Sequence, residues 1–426
     1  MNDPNRKDQL MSRAGRLSCA IWLSLLAGST ALGQGFSSGS DESDGALTFP
    51  ANAGVVVFNP TALGIDADGD GVYHFTSVTV PVGTTVRLSS DVLGEGKPVV
   101  WLASGPVQVQ GAIDLSGQAG HNGGSLRQPA LAGAGGFSGG PGGTPTLPAR
   151  PGGGPGGGAT ALSRRGGSGS FLSEGVVSSS FCAPAGAVYG NRFLLPLIGG
   201  SGGGGGHSVG SGGAGLGAGG GGGGGALLIA STTSIEVSGS IDAGGGDAGT
   251  TGLSGGGGSG GAVRLMAPDL TGTGSIDVSG GSGATGCAGA PGLVRLEAFR
   301  NGITSVVPAG AVDTSRPANV FLPANAPKVR ISQIGSTTIT TQNPLGSYVT
   351  PDATINEAGP VTITIQASNI PLGTQIQLKL CPEGGTPITV TTTALTGTVG
   401  ASTATAGPLS IPSGFNRFHL VASWTP

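Results

Sequence analysis

The residues able to do chemistry are few, and most of them are acidic. Asp66-Ala67-Asp68-Gly69-Asp70-Gly71 places carboxylates at positions 1, 3 and 5 and glycine at 6, the spacing with which a calcium loop gathers oxygen ligands. Position 12 is Ser77, inside a strand pattern, so the bidentate acid of an EF-hand is missing. The motif predicts either a simpler calcium turn at Asp66, Asp68 and Asp70, with calcium the one candidate cofactor, or an ordinary Asp-Gly turn. A second acidic set comes from repetition: Asp114, Asp242 and Asp277 each follow an isoleucine at the same place in a repeat. On neighbouring coils such residues stack at roughly 4.8 Å. Carboxylates that close repel, which raises a pKa or requires a cation, and a glycosidase pair works at about 5 to 9.5 Å. No arginine, lysine or histidine accompanies the three aspartates at a fixed offset, and aromatic residues are 4% of the chain, too few to promise sugar stacking. An exposed polar row that keeps a sheet soluble is therefore the preferred reading. His74, His121, His207 and His419 show no metal-ligand spacing. Matches to G-x-S-x-G are expected by chance in a chain so rich in glycine and serine, and no glycine tract leads into Lys-Ser or a helical pattern. No catalytic residue is assigned.

The elements that position these residues are repeats. Gly223 to Phe299 reads GGGALLIASTTSIEVSGSIDAGGG, GGAVRLMAPDLTGTGSIDVSGG and GAPGLVRLEAF, and an earlier copy, VVWLASGPVQVQGAIDLSGQAG, ends at Gly120. Units of two or three short strands cannot bury a face alone and imply stacked coils that share a core. Within them Val107 and Val109, then Ile113 and Leu115, alternate with polar residues, which sends one set inward.

Composition limits the partners. Glycine is 89 of 426 residues, without the G-X-Y period of collagen; charged residues are 10% and the net charge is -3. No basic field exists for nucleic acid or an acidic membrane. Arg13 and Arg16 precede an apolar run at 20–27, and Ala31-Leu32-Gly33 has the small-x-small form of a signal peptidase site, predicting cleavage before Gln34. The run is too short to span a bilayer, so no span is expected after its removal; an N-terminal anchor is the alternative.

In chain order the expectation is a signal peptide (1–33), a leader and N-terminal cap (34–74), a glycine-rich parallel β-helix (75–310), a linker (311–327) and an immunoglobulin- or fibronectin III-like β-sandwich (328–426). The fold class expected is all-β: a right-handed parallel β-helix with a long glycine-rich insertion, followed by a small β-sandwich. The insertion, 117–225, has too few side chains to offset its ordering entropy by burial. It is expected to loop out, either mobile or organised as close-packed extended glycine helices, with one island, Tyr189 to Ile198, docking back. Removing the signal takes Cys19 with it and leaves Cys182, Cys287 and Cys381 in an oxidising space. Cys182 and Cys287 lie in glycine-rich loops and are the predicted disulfide; free thiols or an intermolecular bridge are the alternatives.

The segment GGGSGGAVRLMAP with SIDVSGG, beside IGGSGGGGG, resembles glycine-rich secreted bacterial proteins whose repeats look like β-helix coils, the architecture of many autotransporter passengers and adhesins. The resemblance covers about 75–299. It stops short of self-anchoring, because Trp424-Thr425-Pro426 follows no alternating barrel pattern. It implies surface or extracellular location and no catalysis. The expectation is a non-enzymatic secreted or cell-surface structural or adhesion protein, with an extracellular glycan or surface protein as partner. The alternative is an extracellular polysaccharide-binding or polysaccharide-cleaving β-helix protein.

Overall fold

The structure, a computed structural model, describes residues 35–67, 71–124, 127–178, 180–207, 216–283, 286–340, 351–382 and 387–424. The chain is mostly β, with two four-residue helices, Pro60–Leu63 and Ser90–Leu93, among the described residues. No helix there is long and apolar enough to cross a membrane.

Two parallel sheets, of ten and six strands, enclose the main apolar cluster. Period-2 alternation in short strands builds them. Val78, Val107, Ile235 and Leu270 stand in register across one sheet, and Val86, Ile113, Ile241 and Ile276 across the other, all fully buried. Each such side chain contributes about 1.5–3 kcal/mol.

The arrangement corrects the expected right-handed β-helix with an appended sandwich: the large parallel sheets form a nearly closed, barrel-like enclosure. The ten-residue strand Ala262–Thr271 is the cause. Its first half pairs with Ala226 to Ala230 and its end with Ser234 to Glu236, which welds into one sheet what the repeats suggest as separate faces. The C-terminal strands form a five-stranded and a three-stranded antiparallel sheet over one apolar cluster, and part of the seam between them is open.

The glycine-rich tract does not loop out, which corrects that part of the expectation, but it is organised as close-packed extended glycine helices, the second of the two alternatives. Residues 217–225 donate nine backbone hydrogen bonds of 2.8 to 3.0 Å to three different neighbours in strict rotation. The N–H groups of Gly217, Gly220 and Gly223 reach the carbonyls of Gly143, Gly140 and Phe137. Those of Ala218, Gly221 and Gly224 reach Leu253, Gly256 and Ser259, and those of Gly219, Gly222 and Gly225 reach His121, Gln118 and Leu115. A repeat of three is the polyproline II helix, which has three residues per turn and no internal hydrogen bonds, so every N–H is free to point outward. Further rods donate back: Gly200, Gly203 and Gly206 to Gly224, Gly221 and Ala218, and Gly246 and Gly249 to Gly222 and Gly219. Glycine is required by the spacing of the rods. A Cβ on Gly220, Gly221 or Gly223 would fall inside van der Waals contact of the carbonyl oxygen of Gly203, Gly246 or Gly200, respectively. Backbone hydrogen bonds between rods, not side-chain burial, offset the ordering of this tract.

The rods continue the sheets. Residues 217–225 run directly into the strand Ala226–Ser231 and 254–261 into Ala262–Thr271, while 243–249 follow Ser240–Asp242. The island Tyr189 to Ile198 packs on this junction: Leu194 is buried beside Ala226, Ala262 and Leu293, and the Tyr189 hydroxyl donates to the Gly199 carbonyl at 2.5 Å.

Candidate functional site

Asp114, Asp242 and Asp277 stand side by side on Ala112–Asp114, Ser240–Asp242 and Ser275–Asp277, each the last residue of its strand. Each carboxylate bends to a backbone N–H two residues on. Asp114 Oδ1 accepts from Ser116 N at 2.9 Å, Asp242 Oδ1 from Gly244 N at 2.8 Å and Asp277 Oδ1 from Ser279 N at 2.7 Å. This is the Asx turn, and it sits where the pleated strand gives way to the threefold rod. The Ile-Asp repeat therefore couples two backbone geometries: isoleucine fills the core and aspartate starts the rod. Arg87, from the preceding strand, pairs with Asp114 at 2.6 Å and holds Ser116. Asp242, in the middle of the row, has its carboxyl pushed up by burial, with further contributions from Asp277 and Asp114.

A buried ionic cluster lies on the outer face of the larger sheet. Arg264 and Arg295 are in register on adjacent strands, and Glu297 Oε1 accepts from both, at 2.9 Å from Arg264 Nε and 2.7 Å from Arg295 Nε. Arg264 also donates to the Val320 and Asn319 carbonyls, and Glu297 Oε2 accepts from Ala318 N. Arg295 lies over the Phe193 ring at 5.2 Å. Sequence reasoning passed over this cluster, although Val-Arg-Leu stands at the same offset in two repeats and marks both arginines.

Of the calcium motif, Asp68 and Asp70 lie outside the described residues. Asp66 is tied to the sheet edge: its N–H donates to Asp44 Oδ1 at 2.9 Å, and its Oδ1 accepts from Gly71 N. Among the described residues no group of three or more His, Cys, Asp or Glu side chains could hold a metal ion.

Cys182 and Cys287 are joined in a disulfide, with Cα atoms 5.9 Å apart and a sequence separation of 105. Both are buried, and nearby backbone bonds from Val176 to Ala288 and from Ser178 to Gly286 hold the same two segments together. Cys381 is free and half-buried, and burial pushes its thiol up. Replacing Cys182 and Cys287 by serine is expected to lower stability by about 2–4 kcal/mol, since the bridge restricts a long loop in the unfolded chain. Denaturant unfolding measures the loss. Thiol titration of denatured, unreduced protein lacking residues 1–33 returns one reactive thiol with the bridge present and three without it.

A cleft of about 1420 Å³ lies where the C-terminal sheets meet the glycine rods. Arg417 crosses this boundary. It is buried and donates from Nη1 to the carbonyls of Gly154 and Gly157 at 2.9 and 2.8 Å. His419 lines the cleft on the same strand, its Nε2 buried without a hydrogen-bond partner. Burial, then the Arg417 and Lys379 charges, hold its pKa down to about 4 from 6.5. A histidine depressed in this way takes up its proton first in the unfolded chain. Its contribution to stability is present above pH 6.5 and is lost as pH falls from about 6.5 to about 4. The His419→Gln variant is expected to lose less stability than the parent across that window, as measured by the melting temperature of both proteins against pH.

No protein-family model matches the chain, and no curated protein or solved structure matches it.

Proposed function

We propose that the chain is a non-enzymatic structural or adhesive protein of the cell surface or extracellular space. The observation that carries this reading is that the repeated aspartates, the residues best spaced for polysaccharide chemistry, each spend a carboxylate oxygen on their own backbone two residues ahead. Their repetition is accounted for by the strand-to-rod transition, and the rods spend the tract's backbone polar groups on one another. The low charge of the chain and the signal-like segment at 1–33 support export.

The raised pKa of Asp242 between two further acids keeps polysaccharide cleavage as the second reading. Two measurements separate them. Fractionation of the source cells should place the protein in the surface or culture-fluid fraction, with Gln34 as its first residue. The purified protein should bind a glycan array or intact cells without releasing reducing ends. Release of reducing ends that disappears in Asp242→Asn would establish the enzyme reading, and retention in the cytoplasm with an intact N-terminus would remove the surface reading.

A further inference from the structure

The net charge of -3 averages over an asymmetry in the chain. Between residues 115 and 235 stand Arg127, Arg150, Arg164, Arg165 and Arg192, and Glu174 is the one acid. The glycine rods of this span lead into strands at one end. At the other end the loops that reverse the chain are tied together by a row of backbone bonds: Gly143 N to Gly206 O at 2.9 Å, His207 N to Arg164 O at 3.0 Å and Arg165 N to Phe181 O at 2.9 Å. Glu174 lies away from this row, between Phe171, which packs beside Ala226 at the strand end, and Val176. Asp247 stands on a neighbouring rod, level with Gly120, and its Oδ1 accepts from Ser282 N at 2.7 Å. Residues 125–126 and 208–215 of the reversing loops lie outside the described residues, and none of them is charged. The end of the rods farthest from the strands is therefore basic.

The same loops carry large apolar side chains in the open. Leu147, Leu162 and Phe181 are 50, 62 and 67% exposed. One such residue on a surface is ordinary, whereas three on loops joined by one row of bonds make a patch. Each has an arginine at its base. Arg127 donates to the carbonyls of Gly142, at 3.0 Å, and of Pro148, next to Leu147. Arg164 follows Leu162 by two positions and donates to the Ser180 and Cys182 carbonyls, on either side of Phe181. It uses Nη1 for both, which leaves Nε and Nη2 to face a ligand. His207 joins the two arginines: its backbone bonds to Arg164, and burial, then the Arg127 charge, hold its pKa down. The disulfide at Cys182, next to Phe181, fixes the loops further.

Apolar tips above a base of guanidinium groups select among anionic partners. A nucleic acid or an acidic glycan offers anions and hydroxyls, which match the arginines and leave the leucines facing polar groups. An anionic bilayer offers phosphates at its surface and acyl chains beneath, so tip and base each meet their complement at the right depth. A guanidinium binds phosphate well, being planar and weakly hydrated. We propose that the end of the glycine rods farthest from the strands docks on anionic lipid headgroups, with Arg127 and Arg164 at phosphate depth and Leu147, Leu162 and Phe181 entering the acyl boundary. This goes beyond the surface reading above and does not depend on it. Because the loops are already tied to one another, little ordering cost falls on the contact.

The test is cosedimentation of the full chain with vesicles of equal parts phosphatidylglycerol and phosphatidylcholine, and with vesicles of phosphatidylcholine alone. Binding to the anionic vesicles is expected to be tighter by about tenfold or more, and to weaken as salt rises to about 0.5 M. Both comparisons use the parent protein, so folding of a variant is not at issue. The triple variant Leu147→Ser, Leu162→Ser, Phe181→Ser should bind the anionic vesicles about tenfold more weakly or worse while its melting temperature holds, since all three side chains are exposed. Parent and variant share the apolar run at 20–27, so any binding through it cancels in the comparison. Arg164→Gln should weaken binding to anionic vesicles and leave the neutral ones unchanged. Absence of binding to anionic vesicles would overturn the proposal, as would equal binding to neutral ones or indifference to the triple substitution. Dextran sulfate that binds the triple variant as tightly as the parent and displaces the vesicles would assign the arginines to an acidic glycan and overturn the lipid reading.

Discussion

Excision of residues 117–225 is expected to abolish the cooperative β fold, and Gly221→Val is expected to cripple it alone. The excised span contains the rod 217–225, which leads into Ala226–Ser231, and further rods that exchange hydrogen bonds with 243–249 and 254–261, segments that lead out of or into strands of both parallel sheets. Gly221 is the clearest single site. Its N–H reaches Gly256, its carbonyl accepts from Gly203, and a Cβ would strike the Gly246 carbonyl oxygen. Overpacking a core side chain costs about 1–3 kcal/mol because neighbours change rotamer. Here the neighbour is backbone, fixed by its own hydrogen bonds, so relief requires separating two rods and the cost lies at or above the top of that range. Alanine should be damaging and valine worse. As an internal control, Gly310→Ala carries no steric contact, and its expected cost is that of its left-handed backbone alone, φ 92°. Thermal unfolding followed by circular dichroism checks all four. A deletion protein that still melted cooperatively near the parent temperature would return the tract to the status of a dispensable loop.

Close-packed extended glycine helices were legible as one of two readings of the tract, but their register and their place against the sheets were not, and the reason lies in what they are made of. The in-register ladder of Ile113, Ile241 and Ile276 is visible because each isoleucine is flanked by polar residues, and a period of two is a side-chain signal. A rod of nearly uniform glycine has a period of three only in its hydrogen bonds, which leave no trace in residue type. The same blindness affected the C-terminal region. Val361–Ser368, with valine and isoleucines alternating, is evident as a strand, whereas Ala401–Leu409 was not foreseen: its buried positions are Ser402, Ala404, Ala406 and Leu409, and Gly407-Pro408 interrupts it before the one large apolar residue. Small residues suffice there because the opposing strand supplies Ile363, Ile365 and Ala367. The joining of two runs of strands by Ala262–Thr271 was equally hidden, since a ten-residue strand with Pro268 in it reads as two. For the site, the aspartates were found and their stacking anticipated, but their task as rod starters depends on a geometry that the sequence does not announce.

Glu297→Ala is expected to destabilise the protein by about 3–5 kcal/mol, because it strands a charge that has no route to water. Arg264 is 1% exposed and Glu297 0%. The loss would not be a weak surface pair but, among the described residues, the one carboxylate that Arg264 contacts, shared with Arg295. Arg295 retains a path outward past Phe193 and Ser315, so the penalty falls on Arg264. Removing both members reverses part of it. In Glu297→Leu with Arg264→Met, apolar side chains occupy the space beneath Val320 and Met266, and the double variant should be more stable than Glu297→Ala despite carrying two changes. The second consequence is local. Ala318 N, Asn319 O and Val320 O are held by this cluster, so either variant should speed amide exchange at 317–322, the segment that covers Leu102, Leu228 and Met266. Denaturant titration of Glu297→Leu, Arg264→Met and the double gives the coupling energy directly. If Glu297→Ala melts with the parent, the cluster carries no net load. If the double variant loses the sum of its parts, the arginine and the glutamate act independently, and the fastening of the 317–322 segment must be sought in Val320 alone.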